Sequence, residues 1–147
     1  AFVNLAEVLR SRTSEEEVDA ILAQGQRTLP QSAELRYARG LSAIRRGDRT
    51  GGLDQLREAT RLDPGAVDYA YAYAVALHDT GRATEAVREL ERAVARVPGD
   101  RRVLQALVTY SVRQGRLAEA RAWARRLVEA APADPAALRI LQLLTSR

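Results

Sequence analysis

The sequence predicts an all-α fold, a right-handed α-solenoid built from antiparallel helix pairs and containing about nine helices. Three observations predict it. Prolines recur every 34 residues, a glycine stands 17 residues before each of the last three prolines, and apolar residues between them follow the i, i+3, i+4, i+7 spacing of amphipathic helices. Each period is therefore predicted to form a helix, a glycine turn, a second helix and a proline break, with these markers: Pro30, Pro64, Pro98, Pro132, Gly47, Gly81 and Gly115.

The glycine and the proline have different tasks in each period. Glycine allows the backbone conformation of a tight turn between helices, and proline ends the second helix because it lacks the donor that the next hydrogen bond needs. Small residues also recur inside the helices, at Gly40 and Ala74 and at Gly52 and Ala86, and they should let paired helices approach closely. Two adjacent glycines, Gly51 and Gly52, each disfavour the helical state by about 1 kcal/mol relative to alanine, and this helix is expected to be the softest.

Both ends of the chain are predicted to be helical. An apolar stripe that includes Leu5 marks the first helix, and Ser14 and Glu17 have the spacing of a capping box at the start of the second. After Pro132, a stripe formed by Leu138, Leu141 and Leu144 predicts a helix that caps the last apolar face. We expect one domain, with a nearly complete leading repeat at 1–30, full repeats at 31–64, 65–98 and 99–132, and a capping helix at 133–147.

Composition excludes several kinds of chemistry. The 147 residues contain no cysteine, which removes disulfides, thiolate zinc sites, cysteine-attached haem and thiol nucleophiles. All positively charged side chains behind the net charge of +4 are arginines, because there is no lysine. This residue usage favours a GC-rich bacterial source. The protein's compartment stays open between the cytoplasm and the periplasm. No apolar run is long enough for a membrane span or a signal peptide, and membrane insertion is not expected. A start at Ala1 suggests a processed protein or a piece of a longer one.

The three glycine-to-proline segments align without a gap. They are "RRGDRTGGLDQLREATRLDP", "HDTGRATEAVRELERAVARVP" and "VRQGRLAEARAWARRLVEAAP". This pattern resembles the tetratricopeptide repeat over nearly the whole chain, and the resemblance implies a non-catalytic scaffold that binds a protein or peptide in a concave groove lined by first helices. Members of the co-chaperone type hold a C-terminal carboxylate with Lys, Asn and Arg. Of the places that correspond to that clamp, only Arg102 fits, and a chaperone tail is not the expected partner.

The candidate groove follows from helix periodicity. On the middle first helix, Tyr71, Val75 and His78 form a stripe rotated away from the core stripe that contains Tyr73 and Leu77. The repeat register extends this stripe to the neighbouring first helices, and the predicted partner-binding residues are Tyr37, Leu41, Arg45, Tyr71, Val75, His78, Arg102, Gln105, Thr109 and Arg113. Tyrosines and arginines suit a segment with an apolar anchor and an acidic group. The alternative is that Tyr37 and Tyr71 stack on each other as packing between repeats.

Two single residues need separate treatment. His78 is the only histidine, and a neighbour in sequence such as Asp79 points about 100° away on a helix, which argues against catalysis and against a metal or other cofactor. Trp123 occupies a column that is solvent-facing in other repeats. Its ring is predicted either to pack against arginine stems or the cap helix, or to contact a partner. One such contact is the symmetric contact of a homodimer, with Arg121, Arg125 and Arg126 around the ring.

A second function class stays open beside the interaction module. The stretch "LQALVTYSVRQGRLAEARAWARRLVEAAPADPAALRILQLL" is similar to the ends of bacterial periplasmic tetratricopeptide proteins fused to multihaem cytochromes. This similarity implies a C-terminal appendage of a larger bacterial enzyme or electron-transfer protein, serving assembly or oligomerisation. Nucleic acid is not an expected partner, because the predicted groove carries acids such as Glu34, Asp68 and Asp79.

Overall fold

The computed structural model describes residues 2–10 and 14–146, and within these ranges the chain forms nine α-helices and no strand. The helices are α1 (Phe2–Leu9), α2 (Glu15–Thr28), α3 (Ala33–Arg45), α4 (Arg49–Leu62), α5 (Val67–Asp79), α6 (Ala83–Arg96), α7 (Arg101–Arg113), α8 (Leu117–Ala130) and α9 (Pro135–Thr145). They belong to two compact units. The first ends at Gly81 and contains α1–α5, and the second begins at Arg82 and contains α6–α9.

Side-chain caps fix where several helices begin. The Ser14 hydroxyl accepts from the backbone N–H of Glu17, and the Glu17 carboxylate accepts from the backbone N–H of Ser14, which confirms the predicted capping box. Each cap satisfies a backbone donor that has no partner within the first helical turn. At the starts of four further helices, the N-cap side chain accepts one hydrogen bond from a backbone N–H of the first turn. These N-cap residues are Ser32 of α3, Asp48 of α4, Asp100 of α7 and Asp134 of α9.

The predicted glycine turns are confirmed. Gly47, Gly81 and Gly115 have φ angles of 84°, 84° and 72°, a left-handed conformation that residues with a Cβ rarely adopt. Among the described residues, no non-glycine residue has a positive φ. The repeated glycine is therefore explained by the conformation of the turn that follows each first helix.

In the first unit the core is built where successive helices meet. Ala6, Val18, Leu22 and Leu35 are buried together, and the Phe2 ring packs against this cluster and against Gly25. The core continues through buried side chains on α4 and α5, which include Leu56, Ala59, Tyr73, Ala74 and Leu77. A polar contact ties α2 to α3 beside this core, where the Arg39 guanidinium lies 3.2 Å from the Asp19 carboxylate and donates to the Gln26 amide oxygen.

The second unit repeats the same plan. Its buried side chains come from every helix and include Leu90, Ala93, Val103, Leu104, Leu107, Ala120, Ala124, Leu127 and Ala137. The helix α9 packs on α8, and Arg121 Nε donates to the carbonyl oxygen of Leu144 at 2.6 Å. The last helix therefore lies against α8, and its role as a cap stays a prediction.

Two leucines of the predicted apolar stripes are exposed in the structure. Leu5 on α1 is 49% exposed and Leu138 on α9 is 41% exposed, although both lie on apolar stripes. Ala6 is the residue of α1 that is buried and Ala137 the residue of α9, so that packing covers only part of each apolar stripe. Periodicity marks a residue as apolar, but burial also needs a helix placed against it.

Candidate partner-binding site

The predicted binding stripe on α5 differs in burial from the core stripe of the same helix. Tyr71, Val75 and His78 are half-buried, whereas Tyr73 and Leu77 are buried. Positions 71, 75 and 78 are spaced i, i+4, i+7 and therefore share one face of α5. This face keeps part of its apolar and aromatic surface accessible to a partner.

On α3 the predicted site residues have two kinds of surroundings. Tyr37 and Leu41 are half-buried, and they offer apolar surface like that of α5. Arg45 is exposed, but its Nε donates to the Glu15 carboxylate of α2 at 3.0 Å. Since Ser42 also donates to Glu15, this carboxylate joins the last turn of α3 to the first turn of α2. Arg45 is thus engaged inside the unit.

A pair of tyrosine rings joins α3 to α5. The rings of Tyr37 and Tyr69 have centroids 4.7 Å apart and planes tilted by 33°, a favourable aromatic contact. The stacking alternative named Tyr71, and Tyr69 was not among the predicted residues. A signal for Tyr69 does exist in the sequence, because it precedes the buried Tyr73 by one helical turn and so lies at the edge of the core stripe.

Carboxylates surround this ring pair. Burial raises the pKa of the Tyr69 phenol, and the negative charges of Glu34, Asp63 and Asp68 raise it further. The phenol is therefore protonated and can donate a hydrogen bond throughout the physiological range. The same charges place the accessible edge of the ring pair in a negative potential.

His78 has no arrangement suited to catalysis with its neighbour. Its side chain is 17% exposed, and Nδ1 lies 3.8 Å from the Asp79 carboxylate, beyond hydrogen-bond distance. This agrees with the expected poor alignment of adjacent residues on a helix. Within the described part of the chain, no three or more His, Cys, Asp or Glu side chains are grouped as ligands of a metal ion would be.

The predicted site residues of the second unit lie on one exposed face of α7. Arg102, Gln105, Thr109 and Arg113 are all exposed, and their spacing places them opposite the buried face of the helix. The Thr109 hydroxyl donates to the carbonyl oxygen of Gln105 at 3.0 Å, and the Arg102 guanidinium lies 3.6 Å from the Asp100 carboxylate. This face is polar and basic, whereas the face on α3 and α5 is mainly aromatic and apolar.

Trp123 on α8 is half-buried, and the guanidinium carbon of Arg126 lies 5.0 Å from its ring centroid. A cation over the face of an indole ring is a favourable electrostatic contact. Of the two predicted arrangements, packing against an arginine is therefore present. A contact with a second molecule stays a prediction.

Helix hairpins repeated along the chain, each turning at a left-handed glycine, define a helical-repeat protein of the α-solenoid class. The model of the tetratricopeptide repeat matches residues 37–101 and 81–135, which together span about two thirds of the chain. The chain belongs to the tetratricopeptide repeat family. Proteins of this family are generally non-catalytic protein-interaction modules.

Solved structures of other repeat proteins have the same fold. MamA 41-end from Desulfovibrio magneticus RS-1 is 20% identical with a TM-score of 0.80, and the match covers 97% of this chain and 81% of that one. YrrB, described as a TPR protein with an unusual peptide-binding site, is 20% identical with a TM-score of 0.77 over 97% and 74% of the two chains. The first TPR of Spaghetti (RPAP3), bound to the HSP90 peptide SRMEEVD, is 18% identical with a TM-score of 0.67 over 78% and 94%.

No curated protein matches the sequence as a relative. The structural likenesses, all near 20% identity, confirm the predicted fold class of antiparallel helix pairs in a solenoid family. In the part of the chain that the structure describes, none of the helices combines the length and the apolar character that crossing a bilayer requires.

Proposed function

We propose that this chain is a non-catalytic interaction module that binds an extended or helical protein segment on its first helices. The observation that supports the proposal is the partly accessible aromatic and apolar surface on two first helices of the first unit, with Tyr37 and Leu41 on α3 and Tyr71, Val75 and His78 on α5. Tyrosine offers a large contact area at a small cost in side-chain entropy, and it is enriched among residues that dominate binding energy.

The partner that suits this face carries an apolar or aromatic anchor. The paired rings of Tyr37 and Tyr69 can pack against such an anchor. The protonated Tyr69 phenol can donate a hydrogen bond to a carbonyl oxygen of the bound segment. Within the second unit alone, the exposed Arg102 and Arg113 are suited to bind a carboxylate, since guanidinium pairs with carboxylate through two hydrogen bonds. Arg45, held by Glu15, has a smaller part in this recognition.

A peptide library tests the proposal with the whole chain as bait. A selected peptide should lose about 2 kcal/mol of binding free energy, roughly thirtyfold in Kd, in the double variant Tyr37→Ala and Tyr71→Ala. Circular dichroism should show that the variant keeps its helicity. The matched control is Trp123→Ala on α8, which should bind with unchanged Kd. Loss of binding in the control with retention in the double variant would place the site on α8 instead.

Self-association is the second part of the proposal. Trp123 was its candidate contact, but Arg126 lies over the indole ring and leaves less of it for another molecule. If Trp123 forms the contact, Trp123→Glu should convert a concentration-dependent dimer into a monomer in sedimentation experiments. A wild-type chain that sediments as a monomer at all concentrations would contradict self-association itself.

A further inference from the structure

Two carboxylates lie beside the pair of tyrosine rings in the first unit. Glu34 precedes Tyr37 by one helical turn on the same face of α3, and Asp63 ends α4 in the connection that leads to Tyr69 on α5. Both carboxylates are exposed, whereas the two rings are half-buried. Burial raises the pKa of the Tyr69 phenol, and the charges of Glu34 and Asp63 raise it further, which shows that both act on the rings. We call these four residues the acidic ring site.

The two carboxylates of the acidic ring site are not neutralised by arginines of the chain. Arg39 and Arg45 of α3 are bound to carboxylates of α2, at 3.2 Å and 3.0 Å. In the part of the chain that the structure describes, neither Glu34 nor Asp63 forms an ion pair. Negative charges beside partly accessible aromatic rings are complementary to a cation, because the face of an aromatic ring is itself electron-rich.

The geometry decides which cation fits. The carboxylates of the site are not grouped as the ligands of a metal ion would be, as holds for all the described residues. The matching cation is therefore one that contacts a ring face and a carboxylate at the same time. The guanidinium of arginine does both, since it is planar, stacks on aromatic rings and pairs with carboxylate through two hydrogen bonds. The ammonium of lysine has the charge but not the plane.

We infer that the acidic ring site binds an arginine side chain of the partner segment, with the guanidinium over a tyrosine ring and paired with Glu34 or Asp63. This inference rests on the proposed function and names one side chain of the partner that the proposal leaves open. The charge of the site favours arginine over an acidic residue, and the ring pair favours arginine over a small cation. The methylene stem of arginine also covers apolar surface next to the rings.

The position of the site on α3 also sets the spacing of the partner's residues. Leu41 is half-buried and follows Tyr37 by one turn on the same face, away from the carboxylate end of that face. The distance from Glu34 to Leu41 along the helix is about 10 Å, which an extended segment covers in about three residues. The partner should therefore carry its arginine about three positions from the apolar residue that contacts Leu41.

A random peptide library selected on the whole chain tests the predicted side chain. The selected peptides should be enriched in arginine about three positions from an apolar residue. In a synthetic copy of one selected peptide, citrulline in place of that arginine keeps the shape but removes the charge, and it should raise Kd about tenfold. Lysine at the same position should raise Kd by a smaller factor. Selection of an acidic residue at this position would overturn the inference.

Variants of the chain test which carboxylates the arginine meets. The double variant Glu34→Gln and Asp63→Asn should raise Kd about tenfold for the arginine peptide and leave Kd for the citrulline peptide unchanged, a coupling that isolates this contact. The matched control is Glu16→Gln and Asp54→Asn, which also removes two exposed carboxylates of the first unit and should change neither Kd by more than about twofold. Circular dichroism should show the same helicity in both double variants.

The outcomes separate this inference from the proposed function. If Glu34→Gln and Asp63→Asn changes the two Kd values by the same factor, or changes neither, the arginine does not contact these carboxylates, and the inference alone is overturned. If no peptide binds the whole chain, or if the bound peptide is insensitive to Tyr37→Ala and Tyr71→Ala, the proposed function fails and the inference fails with it.

Discussion

Gly40 and Gly52 face each other where α3 and α4 pair, and the backbone of each glycine lies close to where a side chain on the other would begin. A Cβ atom on Gly40 would lie 3.2 Å from the carbonyl oxygen of Gly52, and a Cβ on Gly52 would lie 3.1 Å from the carbonyl oxygen of Gly40. Side chains fill the rest of the space, since the same two Cβ atoms would be 2.7 Å from Leu56 and 2.6 Å from Ile44. The predicted close approach of these two helices is therefore confirmed.

This relationship predicts the result of Gly40→Ala. Alanine favours a helix over glycine by about 1 kcal/mol, but the added methyl group must displace Leu56, and overpacking of this kind costs about 1–3 kcal/mol. We expect a net loss in the free energy of unfolding, measured by urea denaturation. Gly65→Ala is the control, because its Cβ would meet nothing nearer than the Asp63 carboxylate at 3.7 Å. A Gly40→Ala variant more stable than wild type would show that the added methyl group meets no resistance from Leu56.

Helix propensity alone does not account for the two adjacent glycines in α4, because it ignores their packing contacts. Gly51 and Gly52 led to the prediction of a soft helix, which is not yet tested, but both have a packing role. Gly52 lies against α3, and a Cβ on Gly51 would come within 2.2 Å of the Asp48 carboxylate, which accepts from the Gly51 N–H as the helix cap. Propensity measures the intrinsic cost of each glycine, whereas the structure shows the contacts that a larger residue would disrupt.

The turn glycines give a second prediction. Gly47 has a φ of 84° and open space where a Cβ would lie, and the cost of Gly47→Ala therefore comes from backbone conformation alone. A non-glycine residue in the left-handed region costs about 1–2 kcal/mol, and thermal unfolding should show a loss of this size. Gly99→Ala is the control, with equally open space and no positive φ. If both variants lost the same stability, the turn conformation would not be the cause.

Periodicity predicted the helices and turns because both depend on the spacing of residue types along the chain. The pairing of Tyr37 with Tyr69 and of Arg45 with Glu15 could not be predicted in this way. These contacts depend on how far each packed helix is rotated and on where long side chains extend, and neither follows from a 34-residue register. The sequence therefore predicts which residues share one side of α3 or of α5, whereas the ring contact between the two helices is known only from the structure.

The packing of α9 on α8 predicts the effect of removing the last helix. Leu127 is buried on α8, and a chain that ends at Pro132 would expose it with its neighbours. We expect lower solubility and lower thermal stability of the shortened chain, because the apolar face of a terminal repeat must be covered. Light scattering and thermal unfolding measure both effects. A shortened chain as soluble and as stable as the full chain would show that α9 is not a cap.

Asp134, the cap of α9, predicts a pH dependence. The backbone N–H of Ala136 donates to its carboxylate and, together with the Arg101 guanidinium, holds the Asp134 pKa below its ordinary value of 3.8. Because the folded pKa is depressed, this stabilisation is complete above the ordinary value and is lost as the pH falls through the folded value.

Asp134→Asn keeps a cap acceptor but has no charge. Wild type should therefore be more stable than Asp134→Asn at pH 7, and the difference should vanish as the pH is lowered below 3.8, as measured by urea denaturation at each pH. The exposed Glu129, substituted as Glu129→Gln, serves as the control for loss of one negative charge on the neighbouring helix. A stability difference between wild type and Asp134→Asn that stayed constant over this range would show that the carboxylate charge does not stabilise α9.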